Sequence, residues 1–100
     1  MAAQRLFAVT RKRGPAWDGA RPMEDQPGWR AHADFMNGLH AEGLIIAGGP
    51  LEGTSEVLFA MRADSADEIA SRLAEDPWVV DGHLELGRIA PWTLRLGSLG

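Results

Sequence analysis

The strongest constraint on the fold lies between Pro27 and Pro50, where a helical pattern runs straight into a glycine-rich strand. Gly28 to Leu39 reads as an amphipathic helix, and Leu44 to Gly49 reads as a strand that is apolar on both faces. Gly43 is placed to end the helix in a left-handed conformation. Gln26 as N-cap and Pro27 as first helical residue are the expected start. At about 100° per residue, His32, Phe35, Met36 and Leu39 fall near 0°, 300°, 40° and 340°, on a single stripe. The stripe is core-facing in character, yet its middle carries an imidazole.

The rest of the chain arranges itself around this unit. Gln4 to Lys12 reads as a first strand. Residues 13–26 contain Gly14, Pro15, Gly19 and Pro22, show no usable period, and read as a loop longer than most connections. Glu56 to Arg62 reads as a third strand, and the short turn Leu51–Ser55 before it requires an antiparallel hairpin. Ser65-Ala66-Asp67-Glu68 is a capping box that opens a second helix, with Glu68 expected to reach back to the cap. Pro77 is expected to stop that helix. His83 to Ile89 reads as a fourth strand broken by Pro91, and Trp92–Leu96 reads as a short terminal strand.

Strand, helix, strand, strand, helix, strand is the order of an α+β ferredoxin-like βαββαβ sandwich, an antiparallel sheet with two helices on one face. One hundred residues accommodate a single such domain, residues 1–100. Two helices leave the other sheet face uncovered, and strands two and three are apolar on that side too. An apolar face of several hundred Å² is unusual on a soluble monomer, so a homodimer through the sheet face is expected. Burying about 400 Å² of it is nominally worth about 10 kcal/mol before association costs.

Composition narrows the chemistry. The net charge of −4 argues against a nucleic-acid binder. No apolar run reaches the roughly 20 residues of a membrane span, and the start of the chain is too short for a signal-peptide core, so a cytoplasmic location is expected. Cysteine and tyrosine are absent, which removes thiol nucleophiles, disulfides, cysteine-held metals and phenolic acids. Three histidines, fourteen carboxylates and Lys12 remain as the acid–base inventory. No HxH or HxxxH spacing supports a metal site, and no GxGxxG or Walker pattern supports a nucleotide cofactor.

His32 therefore carries two readings, a core histidine bonded to backbone or a general base. Asp76, projected on a continued second helix, falls near 340° relative to Ile69 and so on the stripe of Leu73. Both helices of the sandwich lie on one side of the sheet, so inward residues of the two can meet above it. A histidine paired with a carboxylate there is a general base. Gly48, Gly49 and Pro50 either relieve crowding at the hairpin or let a ligand approach backbone amides. Arg11-Lys12-Arg13 and Arg21 are either solvated surface charge or attract an anionic substrate, with Arg13 and Arg21 as candidate anion holders. His40 and His83 are weaker candidates.

Arg30-Ala31-His32, Gly43 to Pro50 with its Gly-Gly-Pro ending, Asp76-Pro77-Trp78 and Pro91-Trp92 together resemble the YCII-like (YciI-related) family, over nearly the whole chain. The resemblance implies a ferredoxin-like fold, a dimeric α/β barrel built from two facing sheets, and a His–Asp active site that carries over to His32 and Asp76. Trp78 stands where the family often has phenylalanine, and the loop around Trp17 looks longer than in the shorter members. Members with a known activity resemble lyases or dehydrochlorinases acting on small ring compounds. The expected function is thus a cofactor-free enzyme of lyase, dehydrochlorinase or isomerase type on a small anionic or hydroxylated substrate. A non-catalytic ligand-binding module and a cofactor-free monooxygenase are the alternatives.

Overall fold

Inward-facing side chains alternate along the first strand as Phe7, Val9 and Arg11, each at most 1% exposed, and this strand lies inside the sheet. A computed structural model describes residues 4–99. Its strands are β1 (Arg5–Arg13), β2 (Ile45–Pro50), β3 (Glu56–Ala63) and β4 (Leu84–Pro91), and its helices are α1 (Trp29–Ala41), α2 (Ala66–Leu73) and α3 (Pro77–Val80). The sheet order is β2-β3-β1-β4, with every neighbouring pair antiparallel. This is the ferredoxin-like α+β arrangement, with the helices on one face.

Local sequence explains most boundaries. Gly43, at φ +85°, ends α1 in a Schellman motif, the Gly43 amide donating to the His40 carbonyl and the Leu44 amide to that of Leu39. Leu39 and Leu44 both enter the core beside Phe7, Met61, Ile69 and Leu73. At the start of α2 the Glu68 amide donates to Ser65 Oγ at 3.2 Å, as the capping box requires. The Glu68 carboxylate reaches one residue further than expected and accepts from the Asp64 amide at 2.9 Å.

Four local expectations are corrected. Gln26 is not the N-cap of α1; Gly28 is, at φ +81°. Gln26 is instead buried, its Nε2 donating to the carbonyls of Asp18 and Arg21 and its Oε1 accepting from the Asp18 amide. One side-chain amide thereby organises the long loop, which also contains a short 3-10 turn at Met23–Asp25. Pro77 does not stop α2, which has already ended at Leu73. It opens α3 as the first helical residue, where its missing N–H costs nothing. Pro91 is the last residue of β4 rather than its breaker, tolerated because β4 is an edge strand. Trp92–Leu96 is not a strand. The Trp92 amide still donates to the Leu6 carbonyl at 2.9 Å, but β1 begins at Arg5 and offers almost nothing further to pair with.

The face away from the helices carries Leu6, Ala8, Thr10, Leu58 and Ala60 by register. It is built from smaller side chains than the strand pattern suggests, and none of these five is fully exposed.

Candidate active site

The inward row of β1 ends in a charge. Arg11 is 1% exposed, one step beyond Val9 in the row that builds the core. A buried guanidinium needs a buried counter-charge, and Asp76 supplies it, with Arg11 Nη1 donating to Asp76 Oδ2 at 2.9 Å. Asp76 is itself fully buried as N-cap of α3, Oδ1 accepting from the Trp78 amide at 2.9 Å. His32, on the inward stripe of α1, brings Nδ1 to 2.9 Å from both carboxylate oxygens.

Burial works against the charge on Asp76, but the hydrogen bonds from His32 and the Trp78 amide and the charge of Arg11 outweigh it. The carboxyl is held below its ordinary range. Burial pulls the Arg11 guanidinium below its ordinary value, opposed by Asp76. An ionised Asp76 can only accept, so His32 Nδ1 carries the proton that bonds it. In the neutral imidazole that leaves Nε2 with a lone pair, and no described residue bonds to it.

Trp78 fixes the plane of the ring. Its indole stacks on His32 at 4.0 Å between centroids and 10° between planes. Its Nε1 donates to the Pro27 carbonyl at 2.8 Å, tying α3 to the start of α1. Trp78 also stacks on His83 at 5.5 Å between centroids. His83 bonds Asp81 Oδ1 through Nδ1 at 2.7 Å, and its Nε2 is buried without a protein partner. Its carbonyl and that of Gly82 accept from the amides of Gly14 and Ala16. This segment anchors the long loop, and Gly14 is required there because a Cβ would lie 2.3 Å from the Gly82 carbonyl oxygen.

His32, Arg11 and Trp78 open onto a cavity of about 270 Å³ between α1, the long loop and the sheet. Trp17, Trp29, Phe59, Met23, Met36 and Leu84 make much of its wall. Among the expected residues, Gly49, Pro50 and Arg13 lie on the same cavity. Gly48 and Arg21 do not. A Cβ on Gly48 would meet the Phe59 ring at 2.2 Å, so this glycine makes room for an aromatic wall. Arg21 is exposed on the loop and pairs with Asp18 at 3.3 Å. His40 lies elsewhere, Nδ1 donating to the Ile45 carbonyl at 2.8 Å. Among the described residues no three His, Asp or Glu side chains gather as a metal-holding group.

The two residues brought together, His32 and Asp76, are 44 positions apart. Asp76 reaches the site by a different route from the continued helix, because α2 has ended before it. The Asp-Pro pair, an N-cap followed by proline at N1, was the usable signal for α3. Arg11, assigned with its neighbours to surface charge or substrate attraction, is instead interior. The alternation Phe7, Val9, Arg11 was the signal for it. Nothing in the periodicity places Trp17 or Trp29 on the cavity.

The model of the YCII-related domain matches residues 6–93. Among solved structures, 5-chloro-2-hydroxyhydroquinone dehydrochlorinase (TftG) from Burkholderia phenoliruptrix AC1100, in complex with 2,5-dihydroxybenzoquinone, is similar with a TM-score of 0.64 and 26% sequence identity. The likeness covers 88% of this chain and 93% of that one. No curated protein sequence matches the chain. With its ferredoxin-like sheet and a family match that runs from β1 past β4, the chain belongs to the YCII-related domain family.

Proposed function

We propose that this protein is a cofactor-free small-molecule enzyme in which His32 moves a proton of a small ring substrate while Asp76 orients the imidazole. One observation carries the reading. Nδ1 of His32 is bonded to a buried carboxylate, and Nε2 is left without a described partner on a residue of the cavity wall. A neutral imidazole held this way is a base at Nε2, and Asp76 offsets the charge it acquires. The proton passes from a hydroxyl or acidic C–H of the substrate to Nε2. The electron pair left behind either delocalises into the ring or expels a leaving group as an anion. The likeness to TftG, a dehydrochlorinase solved with a dihydroxybenzoquinone, supports a ring substrate and a reaction of elimination type.

Chloride release from chlorinated hydroxyhydroquinones and chlorinated hydroxybenzoates tests the reading. His32→Ala is expected to lower turnover at least about 100-fold, the usual loss for a general base, with the folded circular-dichroism spectrum kept and the melting temperature lowered by the lost Asp76 bond and Trp78 stacking. Full activity in that variant would remove the assignment. Ring compounds that stabilise the wild type without any turnover would favour a binding module instead.

The reading includes a two-fold dimer through the outer sheet face. Leu6, Leu58 and Ala60 lie on that face, and Trp92, 38% exposed, falls there by the register of its bond to Leu6. Light scattering at micromolar concentration is expected to give the mass of two chains, and the mass of one would rule the dimer out.

A further inference from the structure

Within Arg11-Lys12-Arg13, the last residue differs from the first two. Arg11 is paired with Asp76 and Lys12 with Glu85, whereas no described carboxylate lies within ion-pair distance of Arg13. Arg13 is exposed, yet its side chain is not without contacts. It closes β1 opposite Leu84, its amide donates to the Ser55 carbonyl at 3.1 Å, and its guanidinium lies 4.6 Å from the centre of the Trp17 ring. It is thereby held on the same cavity as His32. Glu56 is the carboxylate on that lining; like Arg13 it is exposed, and the two form no ion pair. Arg21, the other basic candidate, is spent on Asp18 outside the cavity.

The walls specify the rest of the ligand. Trp17 meets Trp78 edge-on at 5.3 Å, and Trp29 lies 5.8 Å from Trp78, so three indoles converge where Phe59 makes the floor. Such surfaces favour a flat ring through stacked and edge contacts. A space of about 270 Å³ exceeds the roughly 150 Å³ that holds benzene. It admits one substituted ring. The Arg13 guanidinium on the lining disfavours a cationic ligand, although aromatic walls alone would accept one.

We infer that the substrate is a ring-bearing carboxylic acid whose carboxylate is held by Arg13 beside Trp17, with its ring among the tryptophans of the His32 cavity. This rests on the acid–base reading of that cavity and adds the group by which the substrate is chosen. Arg13 and Trp17 are then specificity residues, and His32 remains the proton-moving one.

Calorimetric titration with 4-hydroxybenzoate, its methyl ester and acetate tests the inference on the wild type, Arg13→Gln and Arg13→Lys. The acid is expected to bind wild type about five- to tenfold more tightly than the ester, the range for a partly exposed charged hydrogen bond. Arg13→Gln should bring that ratio to about one without weakening the ester, and Arg13→Lys should retain part of it. About 0.5 M salt should shrink the wild-type ratio. Equal binding of acid and ester by wild type, or a preference that survives Arg13→Gln, would overturn the carboxylate assignment and leave the ring site standing. Acetate binding as tightly as the acid would overturn the ring. Failure of both ring compounds to bind would remove this inference together with the ring substrate proposed above. Loss of the His32 effect on turnover, by contrast, would leave the acid–ester ratio untouched.

Discussion

Two ends of one interior layer can be compared along β1. At the Phe7 end the helices and sheet enclose Met61, Ile69, Leu73 and Leu39, all at most 2% exposed and all apolar. Two inward positions later the same layer encloses Arg11, Asp76 and His32, at 1%, 0% and 7% exposure. Burial is the same at both ends and its consequence is opposite. Removing Ile69 or Phe7 from water stabilises the fold by about 1.5–3 kcal/mol per side chain, whereas Arg11 and Asp76 lose hydration that their bond to each other and the bonds from His32 and the Trp78 amide to Asp76 replace in part. The dry end therefore tolerates any well-packed apolar set, and the polar end demands a particular set of partners. The candidate site lies at the end where burial has to be compensated.

The comparison is broken most severely at Asp76. Asp76→Ala leaves the Arg11 charge, the His32 Nδ1 and the Trp78 amide without their acceptor. It is expected to cost about 3–5 kcal/mol in urea unfolding, as much as or more than Ile69→Ala at about 2–5 kcal/mol. A cost below about 1 kcal/mol would mean that the charges are not interdependent. The same carboxylate sets a pH dependence confined to the polar end. Its pKa is lower in the folded protein than in the unfolded chain, where it is about 3.9. The stability it contributes is therefore complete above that unfolded value and is lost as pH falls through the folded one. Unfolding of the wild type from pH 6 down to acid should show a decline that Asp76→Asn lacks in part, and identical profiles would contradict the assignment.

Gly48→Ala tests the seam between the two ends. Its Cβ would meet Phe59, whose ring packs beneath the Arg11 guanidinium at 5.3 Å. The expected loss is about 1–3 kcal/mol from overpacking, accompanied by altered ring binding because Phe59 walls the cavity. A stability loss with unchanged binding would make Phe59 part of the dry core alone. The smallest effect is expected far from the polar end. Ser65→Ala removes the N-cap of α2 and should cost about 1 kcal/mol while leaving ligand binding and the acid profile as in wild type.

Much of the fold was legible because its causes are local. The α1 stripe, the Gly43 stop, the Ser65 cap and the β2–β3 hairpin each depend on residues within a few positions, and each stands where the pattern puts it. The misreadings share a cause as well. Gln26 has side-chain partners five and eight residues back rather than at a helix start, and residues 92–96 were read as a strand without a neighbour to supply the ladder.

The site divides along the same line. Periodicity was enough to turn His32 inward, since an imidazole between Phe35, Met36 and Leu39 has no other side to occupy. The bond that fixes Nδ1 of that imidazole, and the charge that supports its acceptor, come from contacts across 44 and 65 positions, to Asp76 from His32 and from Arg11. Such distances carry no period. They are closed by the packing of α1 and α3 over β1, and the hydrogen bonds that hold Asp76 ionised exist only once that packing has excluded water. Inward orientation is a property of a residue on its own helix. A proton-accepting nitrogen beside a tryptophan-lined cavity is a property of the assembled layer.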